Sequence, residues 1–293
     1  MFFCVTYHCF MAREISSTFY GTSSVHITDG VTSIFVDAFL TRPSFARLVL
    51  GRLRSDEAAV DWALHKGGVD KLDAIFVSHS HHDHILDAPA VAERFGARLY
   101  GSRSSLNFGK GEGLADELME QIAGGDSVEI GDFTVRIIEA PHSPGNISPG
   151  TIDGELASPC HTLSFKDGGC FVFHFSHPAG NILVLPSANF VPGFLRGLRA
   201  DVVYLGVGAL GRQSAEFQRA YWAETVGELR PRLVIPVHWD HFGRPLSKSL
   251  KPIPYPADNV RATRNVLREA ARGSGIALHF PQAFDTNTVA APS

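Results

Sequence analysis

The feature that most restricts the fold is a short apolar run that ends in a block of imidazoles. In "KLDAIFVSHSHHDHILDAP" the apolar residues 74–77 lead at once into four histidines and an aspartate within positions 79–84. A continuous apolar run of this length reads as a strand buried on both faces. Such strands belong to α/β packings with helices outside the sheet. The segment "DAPAVAERFG" that follows is helical in pattern, with Asp87 as its N-cap and Gly96 as its terminator. "ARLYGS" is a further strand, so the unit is βαβ-like. Two other apolar runs end in the same way. "FTVRIIEA" leads to His142, and "RLVIPV" leads to His238 with Asp240 and His241 beside it. Ligands in open α/β architectures collect at the carboxyl ends of strands. Three histidine-bearing strand ends are therefore expected at one edge.

The remaining elements follow from pattern. "SVHI" and "SIFV" flank an Asp29-Gly30 turn, a hairpin signal. "SFARLVLGRLRSDEAAVDWALHKGG" has helical spacing up to Gly67-Gly68. A second hairpin turns at Gly131-Asp132. "HTLSF", "CFVFHF" and "NILVL" read as a three-strand meander, whose turn at 166–169 pairs Phe165 with Cys170. Ser214 caps a helix that stops at Pro231, and Asp258 and Gly273 bound a last helix over residues 259–272. Strands and helices alternate across two halves with no linker between them. Residues 1–293 are accordingly expected to form a single domain, a four-layer αββα sandwich of two mixed β-sheets. Residues 1–10 would be an upstream extension if Met11 is the start, and 284–293 a loose tail.

Composition excludes several classes. With 44% hydrophobic and 19% charged residues and a net charge of -4, no global basic field favours nucleic acid. No apolar run reaches the roughly 18–20 residues of a transmembrane segment, and no signal peptide is evident. Cys4, Cys9, Cys160 and Cys170 form no C-x-x-C and are expected to be reduced, as in a cytoplasmic protein. "FGKGEGLAD" lacks the setting of a phosphate-binding loop, and no G-x-S-x-G elbow occurs. His161, His174 and His177 read as structural, His161 with a lesser claim to support the site. Arg261, Arg264, Arg268 and Arg272 share one face of the last helix, as a solvated face or as a contact for phosphate or a partner. The expected partner is a small-molecule substrate, and nothing indicates the oligomeric state.

The chemistry lies in the spacing. His79 and His81, two apart at the end of an extended segment, point to one side and can reach one cation. Asp83 and His84 follow where the chain turns, and can reach a second cation nearby. Imidazole and carboxylate suit zinc at about 2.0–2.2 Å; iron, manganese and nickel use similar donors.

The run His79-Ser80-His81-His82-Asp83-His84 matches the signature H-x-H-x-D-H, and from Tyr20 to His241 the chain resembles the metallo-β-lactamase fold superfamily. It is most similar to the branch that includes sugar-phosphate lactonases and N-acylphosphatidylethanolamine phospholipases. The resemblance implies the same αββα sandwich. It also implies that His79, His81 and His142 hold one metal ion while Asp83, His84 and His238 hold another. The fourth motif position varies in the family, so His82 is left out of the ligand set. One departure stands out. Where the family has an aspartate bridging the two ions, this chain has Ser187 in "NILVLPSANFVPG". Without that carboxylate two divalent ions face one more unit of uncompensated positive charge, which weakens the second. Either the second ion is weak or absent, or Ser187, water or Asp240 fills the place. Two zinc ions per chain is the favoured expectation.

The function expected is metal-dependent hydrolysis, in which metal-bound hydroxide attacks an ester, lactone, amide or phosphodiester. Asp83 would orient the hydroxide and take its proton, and His241 would donate to the oxyanion or leaving group. Two rivals stay open: an iron-dependent oxidoreductase on the same fold, and a non-catalytic metal-binding scaffold. The segment "LTRPSFARL" and the Pro-rich stretch after His241 are expected to overhang the strand ends. Phe190, Phe194, Phe242 and Tyr255 would give an apolar wall or, more commonly, pack in the core.

Overall fold

A computed structural model describes residues 14–289 of the chain. Cys4, Cys9 and the proposed extension at 1–10 lie outside these residues, as does the end of the tail from 290. In chain order the strands and α-helices are β1 (Ile15–Phe19), β2 (Val25–Thr28), β3 (Ser33–Val36), α1 (Phe45–Leu50), β4 (Arg52–Leu53), α2 (Glu57–Lys66), β5 (Ala74–Phe76), α3 (His82–Ile85) and α4 (Ala88–Phe95). They continue with β6 (Arg98–Gly101), α5 (Arg103–Gly111), β7 (Met119–Gln121), β8 (Ser127–Ile130), β9 (Phe133–Glu139), β10 (Cys160–His161), β11 (Phe171–His177) and β12 (Gly180–Leu185). The last are β13 (Val202–Gly206), α6 (Ala215–Trp222), β14 (Leu233–Val237), α7 (Val260–Ser274), β15 (Ala277–Leu278) and β16 (Thr286–Val289).

Two seven-stranded mixed sheets result, in the orders β16-β1-β2-β3-β5-β6-β7 and β15-β14-β13-β12-β11-β9-β8. They meet through apolar side chains: the Phe76 ring of the first lies 5.4 Å from Phe173 and 6.1 Å from Phe175 of the second. Tyr204 donates across the same interface to Ser17 Oγ at 2.8 Å, so its hydroxyl is buried with a partner. The expected αββα sandwich is the observed architecture. Strands β3, β5 and β6 run parallel, as do β12, β13 and β14. Their carboxyl ends therefore open on one edge of each sheet, and the histidines follow β5 and β14.

The Asp29-Gly30 hairpin forms between β2 and β3: Asp29 Oδ1 accepts from Val31 N and Thr32 N, while Gly30 takes φ +86°. The single helix expected between 44 and 68 is instead α1 and α2. Gly51 leaves α1 in an extended conformation, Arg52–Leu53 pair with Cys160–His161, and the Asp56 side chain caps a new start by accepting from Ala59 N.

The expected meander is also replaced. Strand β11 pairs with β12 on one side but with β9 on the other, and residues 162–164 form a 3₁₀ turn. The Lys166-Asp167-Gly168-Gly169 stretch does not turn a hairpin. The Asp167 carboxylate accepts from Gly150 N, and its carbonyl accepts from Ser80 N at 2.9 Å, closing the 141–170 loop over the histidine segment. Cys160 and Cys170 are free and buried. Asp87 makes no side-chain cap on α4; its carboxylate takes Leu40 N, Thr41 N and the hydroxyls of Thr41 and Ser55 instead. Helix α7 is capped by Asn259 and ended by Gly275 rather than by Asp258 and Gly273. The tail is not loose up to Val289, because Thr286–Val289 add a strand antiparallel to β1.

Candidate metal centre

Strand β5 ends at Phe76, and the chain bends at Ser78 before reaching His81, the extended N-cap residue of the four-residue α3. His79 and His81 thus project from the segment between strand and helix, while Asp83 and His84 project from a helical turn. His142 follows β9 in a loop clamped from β12's exit. There Ser143 N donates to Ser187 Oγ at 3.0 Å, and Asn189 Nδ2 donates to the His142 carbonyl at 2.7 Å. His238 follows β14 with φ +63° and donates its N–H to Thr22 O at 2.6 Å. That left-handed conformation is costly for a residue with a Cβ and is retained only where the surroundings enforce it. Here the enforcing group is a fully buried ion pair, Arg42 Nη1 to Asp240 Oδ2 at 2.8 Å, while Asp240 Oδ1 accepts Thr22 N. Gly208 leaves room for the ring, since a Cβ there would sit 2.7 Å from His238 Nδ1.

These segments bring together two donor groups, His79 with His81 and His142, and Asp83 with His84 and His238. Within each, the candidate donor atoms lie within 4.8 Å of one another. The groups adjoin, with the rings of His79 and His84 centred 3.7 Å apart. Hydrogen bonds on the far sides of the rings set the tautomers. His84 Nδ1 is 2.7 Å from Asp37 Oδ2, an acceptor only, so Nδ1 carries the proton and Nε2 keeps its lone pair. Ser78 Oγ donates to the same Asp37 oxygen and so accepts from His79 Nδ1 at 3.1 Å, which frees Nε2 of His79. His81 uses Nε2 toward the Ser148 carbonyl at 3.1 Å, which frees Nδ1. His142 uses Nδ1 toward the Ser143 carbonyl at 3.0 Å, which frees Nε2.

Electrostatics agree. Burial, then the neighbouring rings of His84, His81 and His142, hold His79 well below the usual imidazole value. Burial lowers His81 and takes His142 down to about 4. Burial raises Asp83, but the adjoining His84, His82 and His238 outweigh it and hold the carboxylate ionised. For His238, burial pulls downward, yet its hydrogen bond to Asp83 and the charges of Asp83 and Asp240 give a net rise. The first group is thus three neutral imidazoles, His79, His81 and His142, beside an ionised carboxylate that holds His238 at 3.2 Å.

This donor set fits a divalent cation. The Nε2 atoms of His79 and His84 are buried with no hydrogen-bond partner. Buried polar atoms are rarely left so, and lone pairs turned toward each other have no reason to converge unless a cation lies between them.

Residues 43–174 match the family model described as the metallo-beta-lactamase superfamily. A UPF0173 metal-dependent hydrolase of Anaeromyxobacter dehalogenans is 28% identical over 234 residues, covering 77% of this chain and 74% of that protein. The solved structure of Igni18, a metallo hydrolase from Ignicoccus hospitalis, superposes with a TM-score of 0.59 at 15% identity, over 94% of this chain and 98% of that one. Residues 43–174 thus carry the metallo-β-lactamase superfamily pattern, on the fold that these structures share. The diiron β-hydroxylase CmlA from Streptomyces venezuelae shares the fold at a TM-score of 0.58 and 13% identity, over 95% of this chain and 54% of that one. One fold therefore carries both hydrolases and an oxidoreductase.

Ser187 accepts from Ser143 N and belongs to neither donor group. Asp240 is committed to Arg42 and does not take the place of a bridging carboxylate. His241 lies outside both groups. Its Nδ1 accepts from Gly243 N at 2.9 Å, so Nε2 is its proton-bearing atom. Of the four aromatics expected as a wall, Phe242 is beside the centre, 5.1 Å from the His238 ring, and Phe39 stacks edge-on to it at 6.3 Å. Phe190 packs on Phe217 and Tyr221, Phe194 packs against the core, and Tyr255 is exposed. The 43–45 segment does reach the post-His241 turn: a Cβ on Gly243 would lie 3.0 Å from Phe45 N.

Asp37 is the residue that sequence reasoning missed. It sits just past β3 with φ +49°, fully buried, and gathers Ser23, Ser78 and His84. An acidic residue directly after the apolar "SIFV" was the available signal. A third acidic group, Asp29 and Asp132 with His177, lies near the Asp29-Gly30 turn. There His177 Nδ1 accepts from Ala179 N, so Nε2 bears the proton and offers no lone pair.

Proposed function

We propose that this chain is a metal-dependent hydrolase that cleaves an ester, lactone, amide or phosphodiester in a small molecule. His79, His81 and His142 would hold one ion, and Asp83, His84 and His238 a second, with zinc the best match to the donors. The convergence of neutral, unpartnered imidazole nitrogens with an ionised Asp83 carries this reading. A bound cation supplies Lewis acidity there, acidifying a water and polarising a carbonyl or phosphoryl oxygen. Asp83 is placed to orient that water and accept its proton, since its Oδ2 already lies 3.2 Å from His238 Nε2 and 3.5 Å from His84 Nε2. His241, with a proton on Nε2, would donate to the leaving group. Phe242, backed by the buried Phe39, and the exposed Phe45 would give the substrate an apolar contact on one side. The free, buried Cys160 and Cys170 support a reducing, cytoplasmic setting, and among the described residues no helix is long and apolar enough to cross a membrane. A core shared by both sheets supports reading the chain as one domain.

The test is turnover by metal-replete protein on a panel of esters, lactones, amides and phosphodiesters, alongside Asp83→Asn and His142→Ala. Hydrolysis of one class, lost by at least about 100-fold in Asp83→Asn, supports the reading. Bound iron with an optical band and no hydrolysis would replace it with the oxidoreductase; bound zinc with no turnover would replace it with the scaffold.

A further inference from the structure

Helix α7 carries Arg261, Arg264, Arg268 and Arg272 on one face. Among the described residues none of the four makes an ion pair, and in this they resemble most of the chain's arginines and lysines outside Arg42, Arg94, Arg98, Lys71 and Lys110. Like charges four residues apart on a helix repel and lower its stability. The row at 264, 268 and 272 therefore works against the helix unless something else gains from it.

The surface is concave here. A cavity of about 320 Å³ is lined by Arg261, Arg264 and Arg268 with Pro252 and Val260, and contains no acidic residue. A second of about 400 Å³ continues past Arg268 to Arg272 and Phe280, again with no acidic lining residue. His279, at its end, pairs with Asp285 at 3.0 Å. In another surface cavity, of about 740 Å³, Arg47 and Arg54 by contrast face the carboxylates of Asp56, Glu57, Glu93 and Glu112. Glu269, the acidic residue of α7, lines a different cavity.

Arg264 adds a second, independent observation. Its guanidinium carbon lies 5.1 Å from the centre of the Trp239 ring and 4.9 Å from that of Phe280. Stacking fixes its plane, while its Nε is buried with no hydrogen-bond partner. Burial, then Arg268, lowers its pKa. A half-buried guanidinium held against two rings, with no carboxylate partner, is placed to take an anion.

We propose that the α7 groove binds a small phosphate-bearing anion with at least two negative charges, held by Arg264 and Arg268 and flanked by Arg261 or Arg272. Successive arginines at 264, 268 and 272 rise about 6 Å apiece along the helix, so a ligand spanning two of them carries more than one anionic group. Arg264 of the groove stacks on Trp239, the residue between His238 and Asp240, and so adjoins the loop that presents His238. The site is separate from the cation donors and does not depend on the hydrolase reading.

The test is calorimetric titration of full-length protein with inorganic pyrophosphate, as purified and after metal removal, with chloride at matched ionic strength as the control. Saturable one-to-one binding that survives metal removal is expected. Arg261→Ala with Arg268→Ala, both exposed and off the core, should weaken it at least tenfold with an unfolding temperature no lower than that of the wild type. Arg264→Lys, which keeps the charge but loses the planar fork, should weaken it several-fold. Binding that vanishes with the metal would place the anion at the histidine centre and overturn the proposal. Binding indifferent to the double substitution, or no heat beyond the chloride control, would overturn it equally. Because the readout is binding to metal-free protein, failure here leaves the hydrolase reading untouched, and failure of hydrolysis leaves the groove untouched.

Discussion

Asp37→Asn is the substitution that most sharply separates geometry from charge at the centre. The Asp37 carboxylate collects Ser78 N at 2.7 Å, Ser78 Oγ at 2.9 Å, Ser23 Oγ at 2.6 Å and His84 Nδ1 at 2.7 Å. All four are donors to an acceptor-only group. Asparagine keeps the size and tolerates the left-handed backbone at 37, but whichever way its amide turns, an NH₂ faces a donor. The serine hydroxyls can rotate away. His84 cannot, and relieves the clash by moving its proton to Nε2, which removes the lone pair offered to the cation. Loss of such a supporting carboxylate lowers metal affinity about 10–100-fold, or about 1.4–2.7 kcal/mol. Competition with a chromophoric zinc chelator measures this directly, and circular dichroism checks that the fold is retained. The larger loss should fall on the Asp83, His84 and His238 group, with a smaller one at His79, whose Nδ1 rests on the Asp37-bound Ser78 hydroxyl. Wild-type affinity in folded Asp37→Asn would refute the tautomer argument.

Arg42→Ala strands the fully buried Asp240 carboxylate; breaking a buried pair costs about 3–5 kcal/mol, readable as a lower urea midpoint, and a change below 1 kcal/mol would contradict the assigned burial. Gly208→Ala presses a Cβ onto His238 Nδ1, so metal affinity should fall at the second donor group while the first is spared; zinc titration distinguishes the two phases. His26 gives a pH prediction. Burial lowers it from 6.5 to about 4 against Ser33 Oγ at 2.7 Å. Below pH 6.5 the unfolded chain takes up a proton that the folded chain refuses until about pH 4, so stability falls as pH drops through that window. At about 1.4 kcal/mol per pH unit, the loss by pH 5 is about 2 kcal/mol, and His26→Gln should remove that part of the slope in urea unfolding series at pH 5 and pH 7.

Much of the fold was legible because its signals are local. The apolar run at 74–77, the turn at Asp29-Gly30 and the cap at Ser214 each depend on neighbours within a few residues, and each stands where expected. The misreadings share a different origin, long-range pairing. "HTLSF" alternates like a strand, yet β9 offers β11 a seven-residue partner with which that five-residue segment cannot compete. Thr286–Val289 are too polar to announce a strand and become one because β1 presents an open edge. At the centre, the spacing of His79, His81, Asp83 and His84 was readable within six residues. The positions of His142 and His238 followed from strand ends. Asp37 and the Arg42–Asp240 pair were not readable, since their partners are distant in sequence and meet only when the sheets stack.

Anomalous diffraction at the zinc edge, from crystals grown with excess zinc, tests the central claim most directly. A peak is predicted about 2.0–2.2 Å from donor atoms of His79, His81 and His142, with a second beside Asp83, His84 and His238. Rings that stay apart around a site with no anomalous density at saturating zinc would contradict it.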